Sequence, residues 1–245
     1  SLRCSTHAQP TNCTVRPTDS LKVVTTKMSA KERAQAIAPI LEAQFPGTAS
    51  ELCELDFATP FQLLCATVLS AQCTDVRVNA TTPALFAAYP DAQAMASADR
   101  AHLESLIFAT GFYRAKANHL LELSARLLSV YGGEVPTRRE DLVTLAGVGR
   151  KTANVVRSVA FSLPGLPVDT HVLRLSKRLD LVRSDDPVKV EHRLNALFGE
   201  QVGGALSLRL ILHGRRTCTA RVMSCEDCVL LHLCPTGKKR VDLPT

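Results

Sequence analysis

The chain has 245 residues, of which 46% are hydrophobic and 4% aromatic, and it contains no tryptophan. That length allows one large core or two small ones, and a core made mainly of Leu, Val and Ala favours packed helices. The formal net charge of +6 suits a polyanionic partner without identifying one. No segment approaches the roughly 18 apolar residues of a membrane span, and the N-terminus shows no signal segment. We therefore expect a soluble intracellular protein with no membrane partner.

Helix signals recur along most of the chain. Residues 1–27 mix Ser, Thr, Pro and Asn with scattered charges and no apolar period, which predicts a disordered extension. Beyond them, capping-box patterns open helices at 29–32, 59–62 and 137–140. Apolar residues then recur three and four positions apart, and no segment sustains a two-residue period. The pattern predicts an all-α protein.

Residues 142–156 place a tight glycine-containing turn between two short amphipathic helices. Glycine permits positive φ and close backbone approach, so the N–H groups of the turn and of the following helix can hold a phosphate. A lone Gly-x-Gly is more often an ordinary loop. The residues that would contact DNA here are Gly147, Val148, Gly149, Arg150 and Thr152.

Two charged residues stand near this turn and a later break. Lys151 lies in the first turn of a helix, where the helix dipole disfavours a positive charge. It is either a solvated lysine that binds phosphate or a functional amine. Asp169 follows Pro-Gly-Leu-Pro at 164–167, which we interpret as a crossing between two lobes. Asp169 also precedes a helix, so it is an N-cap, an active carboxylate or both.

Four cysteines follow the spacing C-x6-C-x2-C-x5-C, which indicates metal ligation; they are Cys218, Cys225, Cys228 and Cys234. A Cys4 zinc site is the natural alternative to a cluster, but zinc ribbons usually pair two short C-x2-C hairpins and only one occurs here. The spacing also differs from that of ferredoxins. Three arginines on or beside the loop, Arg215, Arg216 and Arg221, can meet phosphates.

Several separated blocks occur together in one known family. They are Leu69-Ser-Ala-Gln72-Cys-Thr-Asp75, Gly111-Phe-Tyr-Arg-Ala-Lys116, the hairpin block at 145–156, Val168-Asp169-Thr170-His171 and the four cysteines. On these motifs the sequence resembles the helix-hairpin-helix DNA glycosylases of the endonuclease III family, over most of residues 30–235. The resemblance implies two helical lobes with a helix-hairpin-helix motif and a C-terminal iron-sulfur loop. It also implies base excision repair of double-stranded DNA that contains damaged bases or abasic sites.

The resemblance assigns the chemistry to particular residues. Lys151 becomes the amine nucleophile, Asp169 the catalytic carboxylate and His171 a supporting residue, while the four cysteines hold a 4Fe-4S cluster. The implied enzyme is a bifunctional glycosylase and AP lyase that removes oxidised pyrimidines and cleaves abasic sites by β-elimination through a lysine Schiff base. The attacking amine must be unprotonated. We therefore expect Lys151 to be buried in a closed cleft, with Arg150 beside it disfavouring its charge.

Gln72 and Phe112 are implied to fill the space that a flipped base leaves in the duplex. Phe112 stands where relatives often have Leu, and its alternative is ordinary core packing. Cys73 stands where a smaller or hydroxylated residue is common. Ala146 replaces a common Pro, so we expect weaker or slower hairpin docking at most.

Two other functions stay open. A monofunctional adenine-DNA glycosylase of the same superfamily is disfavoured, because such enzymes lack a lysine at the position of Lys151. A non-catalytic helix-hairpin-helix DNA-binding module is disfavoured because both Lys151 and Asp169 are present.

The predicted organisation has three parts after the extension: a helical barrel domain with the hairpin at 53–163, an iron-sulfur cluster domain at 28–52 plus 164–235, and a basic tail at 236–245. We expect a monomer in the bacterial cytoplasm, associated with the nucleoid.

Overall fold

The structure is a computed structural model that describes residues 28–243. The predicted extension at 1–27 lies outside the described residues. The helices are α1 (Ala30–Gln44), α2 (Ala49–Leu52), α3 (Pro60–Leu69), α4 (Asp75–Ala88), α5 (Ala92–Ala96), α6 (Arg100–Ile107), α7 (Tyr113–Tyr131), α8 (Arg139–Leu142), α9 (Arg150–Ala160), α10 (Thr170–Arg178), α11 (Pro187–Phe198), α12 (Gly203–Arg216) and α13 (Pro235–Arg240). Short 3-10 turns lie at Phe108–Thr110 and Leu231–Leu233. No strand occurs in this range, so the all-α prediction is confirmed.

The helix starts follow their capping signals in two of three cases. Ser29 forms the complete box with Glu32, as predicted. Thr59 caps α3 through the Gln62 N–H, with Pro60 at the first helical position. The predicted box at 137–140 is wrong, because α8 begins one residue later with Arg138 as an N-cap that makes no side-chain bond. Local capping is worth only about 1 kcal/mol, so tertiary contacts override it readily.

Two large hydrophobic cores divide most of the described residues into two helical lobes. A third, small cluster joins Phe45, Leu52 and Leu212. The first core draws on α3 to α9 and runs from Leu55 to Val156. The second joins α1 to α10, α11 and α12 and ends at Leu230. α3 lies at the centre of the first lobe, since eight of its ten residues are buried. The boundaries proposed at residues 53 and 163 stay a prediction.

The lobes meet where α9 packs against α12. A Cβ added to Gly204 would lie 2.4 Å from the Ser158 Cβ, so this contact requires glycine. The crossing loop after α9 is tied down as well, because Asn154 Nδ2 donates to the Leu166 carbonyl at 3.0 Å. Ser207 Oγ donates to the Pro167 carbonyl. The loop after α9 is therefore joined by side-chain hydrogen bonds to both α9 and α12. Between residues 28 and 243 we find no helix long and apolar enough to cross a membrane.

Candidate active site and cluster loop

A cleft of about 970 Å³, including its open mouth, lies between the lobes. It is lined by Lys151 and Thr152 of α9, Asp169 before α10, Gln72 after α3 and Arg215 of α12. Its lining joins side chains of both lobes around an opening to solvent, which is the kind of concave site where ligands bind. Gln72 and Lys151, which are 79 positions apart in sequence, thus share one cavity, which periodicity alone could not have shown.

The hairpin brings Lys151 to the mouth of this cleft. Gly147 has φ +75°, and a Cβ there would lie 3.0 Å from the His119 ring, so the turn needs glycine. Gly149 has an ordinary φ of −92° and caps α9 without a side chain, which leaves the amides of the helix N-terminus open. Val148 packs its side chain into the first core and can offer DNA only its backbone. The motif therefore presents backbone donors beside the amine.

The expected environment of Lys151 is wrong in two respects. Its side chain is exposed rather than buried. Arg150 is engaged elsewhere, because its Nε donates to Glu191 Oε2 at 2.7 Å and its Nη2 to Oε1 at 3.0 Å. The hydrogen bond that Arg150 donates to Glu191 raises the Arg150 pKa. The Arg150 charge is thus compensated by a carboxylate that sequence reasoning missed, and its side chain is not free for phosphate.

Asp169 is the N-cap of α10, as one reading of the sequence required. Its Oδ1 accepts from the N–H groups of His171 at 2.8 Å and Val172 at 2.9 Å. Both bonds use the same oxygen, so Oδ2 stays available to the cleft. The carboxylate is therefore held in place by the helix it caps.

His171 is partly buried beside this cap. Its Nδ1 lies 3.1 Å from Arg174 Nη2, and since arginine only donates, the ring nitrogen accepts. Burial lowers the His171 pKa, with Arg174 and Arg215 acting in the same direction and Asp169 opposing them. The ring is accordingly neutral near pH 7.

Gln72 and Phe112 share an unusual backbone conformation. Both have positive φ, +53° and +48°, which costs energy for residues other than glycine. Phe112 is 66% exposed, so the alternative of core packing is wrong. Gln72 lines both the Lys151 cleft and a second concavity that contains Arg77 and Phe108. The two proposed wedge residues are therefore both exposed, and both have an unusual backbone conformation.

Arg215 does not present a free charge to phosphate, which corrects the expectation from its sequence position. Its guanidinium forms an ion pair with Asp75 at 2.7 Å and another with Glu54. Arg216 joins the same group through Glu54 at 3.3 Å. Glu54 and Asp75 belong to the first lobe, so these pairs connect the lobes across the cleft.

The four cysteine thiols line one cavity near α10 and α12, together with Arg178 and His213. Arg178 Nη1 donates to Cys218 Sγ at 3.0 Å, and the Gly237 N–H donates to Cys234 Sγ at 3.2 Å. Burial raises the thiol pKa of Cys228 and Cys234, and the neighbouring cysteines raise it further. Among residues 28–243, no three His, Cys, Asp or Glu side chains are grouped so as to hold one metal ion. The thiols surround a cavity rather than a point.

The comparisons with known proteins agree on one family. The HhH-GPD family model, described as "HhH-GPD superfamily base excision DNA repair protein", matches residues 65–200. Endonuclease III of Synechocystis is 49% identical over 86% of this chain and 95% of its own, and that of Bacillus subtilis is 46% identical over 77% and 86%.

Two solved structures extend this similarity to the fold. A non-covalent endonuclease III–DNA complex superimposes with a TM-score of 0.81 and 42% identity, covering 88% of this chain and all of that one. A trapped covalent endonuclease III–DNA intermediate gives 0.81 and 43%, covering 87% of this chain and all of that one. The resemblance seen in the motifs is thereby confirmed, and the chain belongs to the endonuclease III family of the HhH-GPD superfamily of base excision DNA repair proteins.

Proposed function

We propose that this chain is a bifunctional DNA glycosylase and AP lyase that excises oxidised pyrimidines and then cleaves the strand through a Schiff base at Lys151. One observation carries the proposal: Lys151 and Asp169, from different lobes, line the same cleft. The trapped covalent DNA intermediate of a relative 43% identical to this chain supports it. The partner is double-stranded DNA with a damaged base or abasic site, bound by a monomer. The bacterial relatives favour a location in the cytoplasm beside the nucleoid.

The damaged nucleotide must leave the duplex before the sugar can be reached. Gln72 and Phe112 are exposed, each at a residue with positive φ, and they would fill the space that it leaves. The hairpin amides at Gly149 and the start of α9 would hold a phosphate of the damaged strand. These contacts involve the DNA phosphate backbone and the stacked bases, so they position the lesion independently of the surrounding base sequence.

The chemistry then requires a neutral amine. Lys151 is exposed in the free chain, so the DNA itself must cover the cleft and remove water from the ammonium group. The Lys151 amine attacks C1′, and the N-glycosidic bond breaks with its electron pair leaving on the base. Asp169, whose Oδ2 is available, stabilises the positive charge that develops on the sugar and accepts the proton lost by the amine.

The nitrogen lone pair then forms the C1′=N bond of a Schiff base while the C1′–O4′ bond breaks, and O4′ takes up the proton that Asp169 accepted. Water accepts a proton from C2′, the electrons of that C–H bond form an enamine with the iminium, and the enamine then expels the phosphate from C3′, which breaks the strand. Hydrolysis of the imine returns Lys151 as an amine. Each step uses groups of this chain and water only.

A 4Fe-4S cluster is the group that fits the four cysteines best. N–H donors to the sulfurs are typical of such sites, and Arg178 and Gly237 supply them. A cavity among the thiols also suits a cluster better than a single zinc ion, whose four sulfurs lie about 2.3 Å from one point. When bound, the cluster would hold the loop after α12 in its fold. Visible absorbance with iron, sulfide and zinc analysis of one preparation distinguishes the two.

The deciding experiment is borohydride trapping. The wild-type chain is mixed with duplexes that contain thymine glycol or an abasic site, and covalent adducts are separated on denaturing gels. Lys151→Gln is expected to give no adduct with either duplex, while Lys31→Gln, which removes an exposed lysine that does not line the cleft, keeps the wild-type yield. A wild-type chain that forms no adduct would support the non-catalytic module. Release of adenine without an adduct would support the monofunctional glycosylase.

A further inference from the structure

Lys116 is a buried cation without a function in the mechanism above. Its side chain is 4% exposed, and in the described part of the chain it pairs with no carboxylate. Its Nζ donates instead to two backbone carbonyls, those of Leu69 and Thr110, each at 2.8 Å. Burial lowers the Lys116 pKa, opposed by Cys73. Burying a charged group costs free energy unless hydrogen bonds compensate for it. At this buried position the two hydrogen bonds to backbone carbonyls supply that compensation, and an apolar side chain could not make them.

The two carbonyls belong to the segments that carry the wedge residues. Leu69 ends α3, three residues before Gln72. Thr110 ends the 3-10 turn, two residues before Phe112. Lys116 itself lies in the first turn of α7, which Phe112 precedes. One ammonium group therefore joins both segments close to the points where the backbone turns to positive φ.

An ammonium group is suited to this connection. It carries three donors on one atom, so it can bind two carbonyls from different segments at once. A methionine would fill a similar volume but leave both carbonyls without a partner. The contacts between the segments would then depend on apolar packing alone, which fixes distances less sharply than directed hydrogen bonds.

We propose that Lys116 is a positioning residue that sets the spacing between Gln72 and Phe112, so that both enter the duplex together as the damaged base leaves. The inference rests on the proposed wedge function of those two residues. It predicts a selective defect. Excision needs an intact base to be unstacked, whereas an abasic site offers no base to unstack. Lys116 does not line the cleft of Lys151 and Asp169, so the lyase chemistry itself is untouched.

The test compares two reactions of the same full-length variant. Lys116→Met removes the donors and the charge, and Lys116→Gln keeps an amide with two N–H groups. Lys31→Met removes an exposed lysine and serves as the matched control. Single-turnover rates are measured on a thymine glycol duplex and on an abasic duplex. A 2-aminopurine beside the lesion reports unstacking by its fluorescence before cleavage, and circular dichroism checks the fold.

K116M is expected to excise thymine glycol roughly 100-fold more slowly, the effect of a misplacement of about 1 Å. Its abasic cleavage stays near that of wild type, the fluorescence rise is lost, and K116Q lies between the two. Equal losses in both reactions, or an unchanged fluorescence rise, would overturn the proposal. Should K116M not fold, K116Q carries the same comparison. If wild type itself excises nothing, the proposed function fails; if wild type excises thymine glycol and K116M does so at the same rate, only the present inference fails.

Discussion

Glu191 is the buried carboxylate on which the hairpin depends. Its side chain is 5% exposed and binds Arg139, the first residue of α8, at 3.2 Å and Arg150, the first residue of α9, at 2.7 Å. Glu191 lies on α11 in the second lobe, so these bonds tie both hairpin helices to that lobe. Changing Glu191 to Gln removes the charge, keeps the shape and leaves one acceptor oxygen.

The expected loss follows from this geometry. Breaking a buried ion pair costs about 3–5 kcal/mol. The two arginine side chains are 36% and 34% exposed, so water compensates part of the loss. We expect the free energy of unfolding to fall by about 2 kcal/mol, which lowers the melting temperature by roughly 4–8 °C for a chain of this size. Abasic cleavage is expected to fall roughly tenfold, because Lys151 follows directly on the loosened Arg150.

The assay is thermal melting followed by circular dichroism, with single-turnover abasic cleavage on the same samples. Glu104→Gln is the matched control, since it makes the same change in an exposed pair with Arg100 at 2.9 Å. Such a pair is worth about 0.3–0.5 kcal/mol. If E191Q melts no lower than E104Q, the anchoring of the hairpin by Glu191 is refuted.

Three further changes separate folding from chemistry. Asp169→Asn should melt like wild type, since Asn caps a helix about as well as Asp. Its excision rate should fall by a factor of roughly 10²–10⁴. A stable variant with full excision activity would remove Asp169 from the mechanism. Phe112→Ala should slow thymine glycol excision roughly tenfold, because it removes stacking of the ring on a base that is worth about 1.4 kcal/mol. The melting temperature should not change, because the ring is 66% exposed. Full excision activity would show that the ring is no wedge. Gly204→Ala forces a Cβ against Ser158 and should lower the free energy of unfolding by about 1–3 kcal/mol in urea titrations; equal stability would mean that α9 and α12 separate easily.

Sequence reasoning succeeded where the signal is local. Period and capping predicted an all-α chain, and Ser29 and Asp169 cap the helices they precede. The glycine turn was also visible, because only glycine accepts the φ of +75° at Gly147 without strain. Each of these features depends on a few neighbouring residues.

The partners of the charged groups could not be found in the same way. Arg150 meets Glu191 across 41 positions, Lys116 meets Leu69 across 47, and Arg215 meets Asp75 across 140. Sequence alone shows a cation and not what compensates it, so Arg150 and Arg215 were assigned to phosphate. The burial of Lys116 had no local sign, since a lysine in a first helical turn usually faces water.

Asp169 caps α10 and is also proposed to act in catalysis, and this combination has an evolutionary consequence. Its codon differs from that of asparagine by a single base, and asparagine would keep the cap on α10 while withdrawing the negative charge from the cleft. On the proposed mechanism, one point mutation would therefore abolish catalysis and leave the fold intact. A repair enzyme with this fold could therefore be converted by one nucleotide change into a protein that binds damaged DNA without cleaving it.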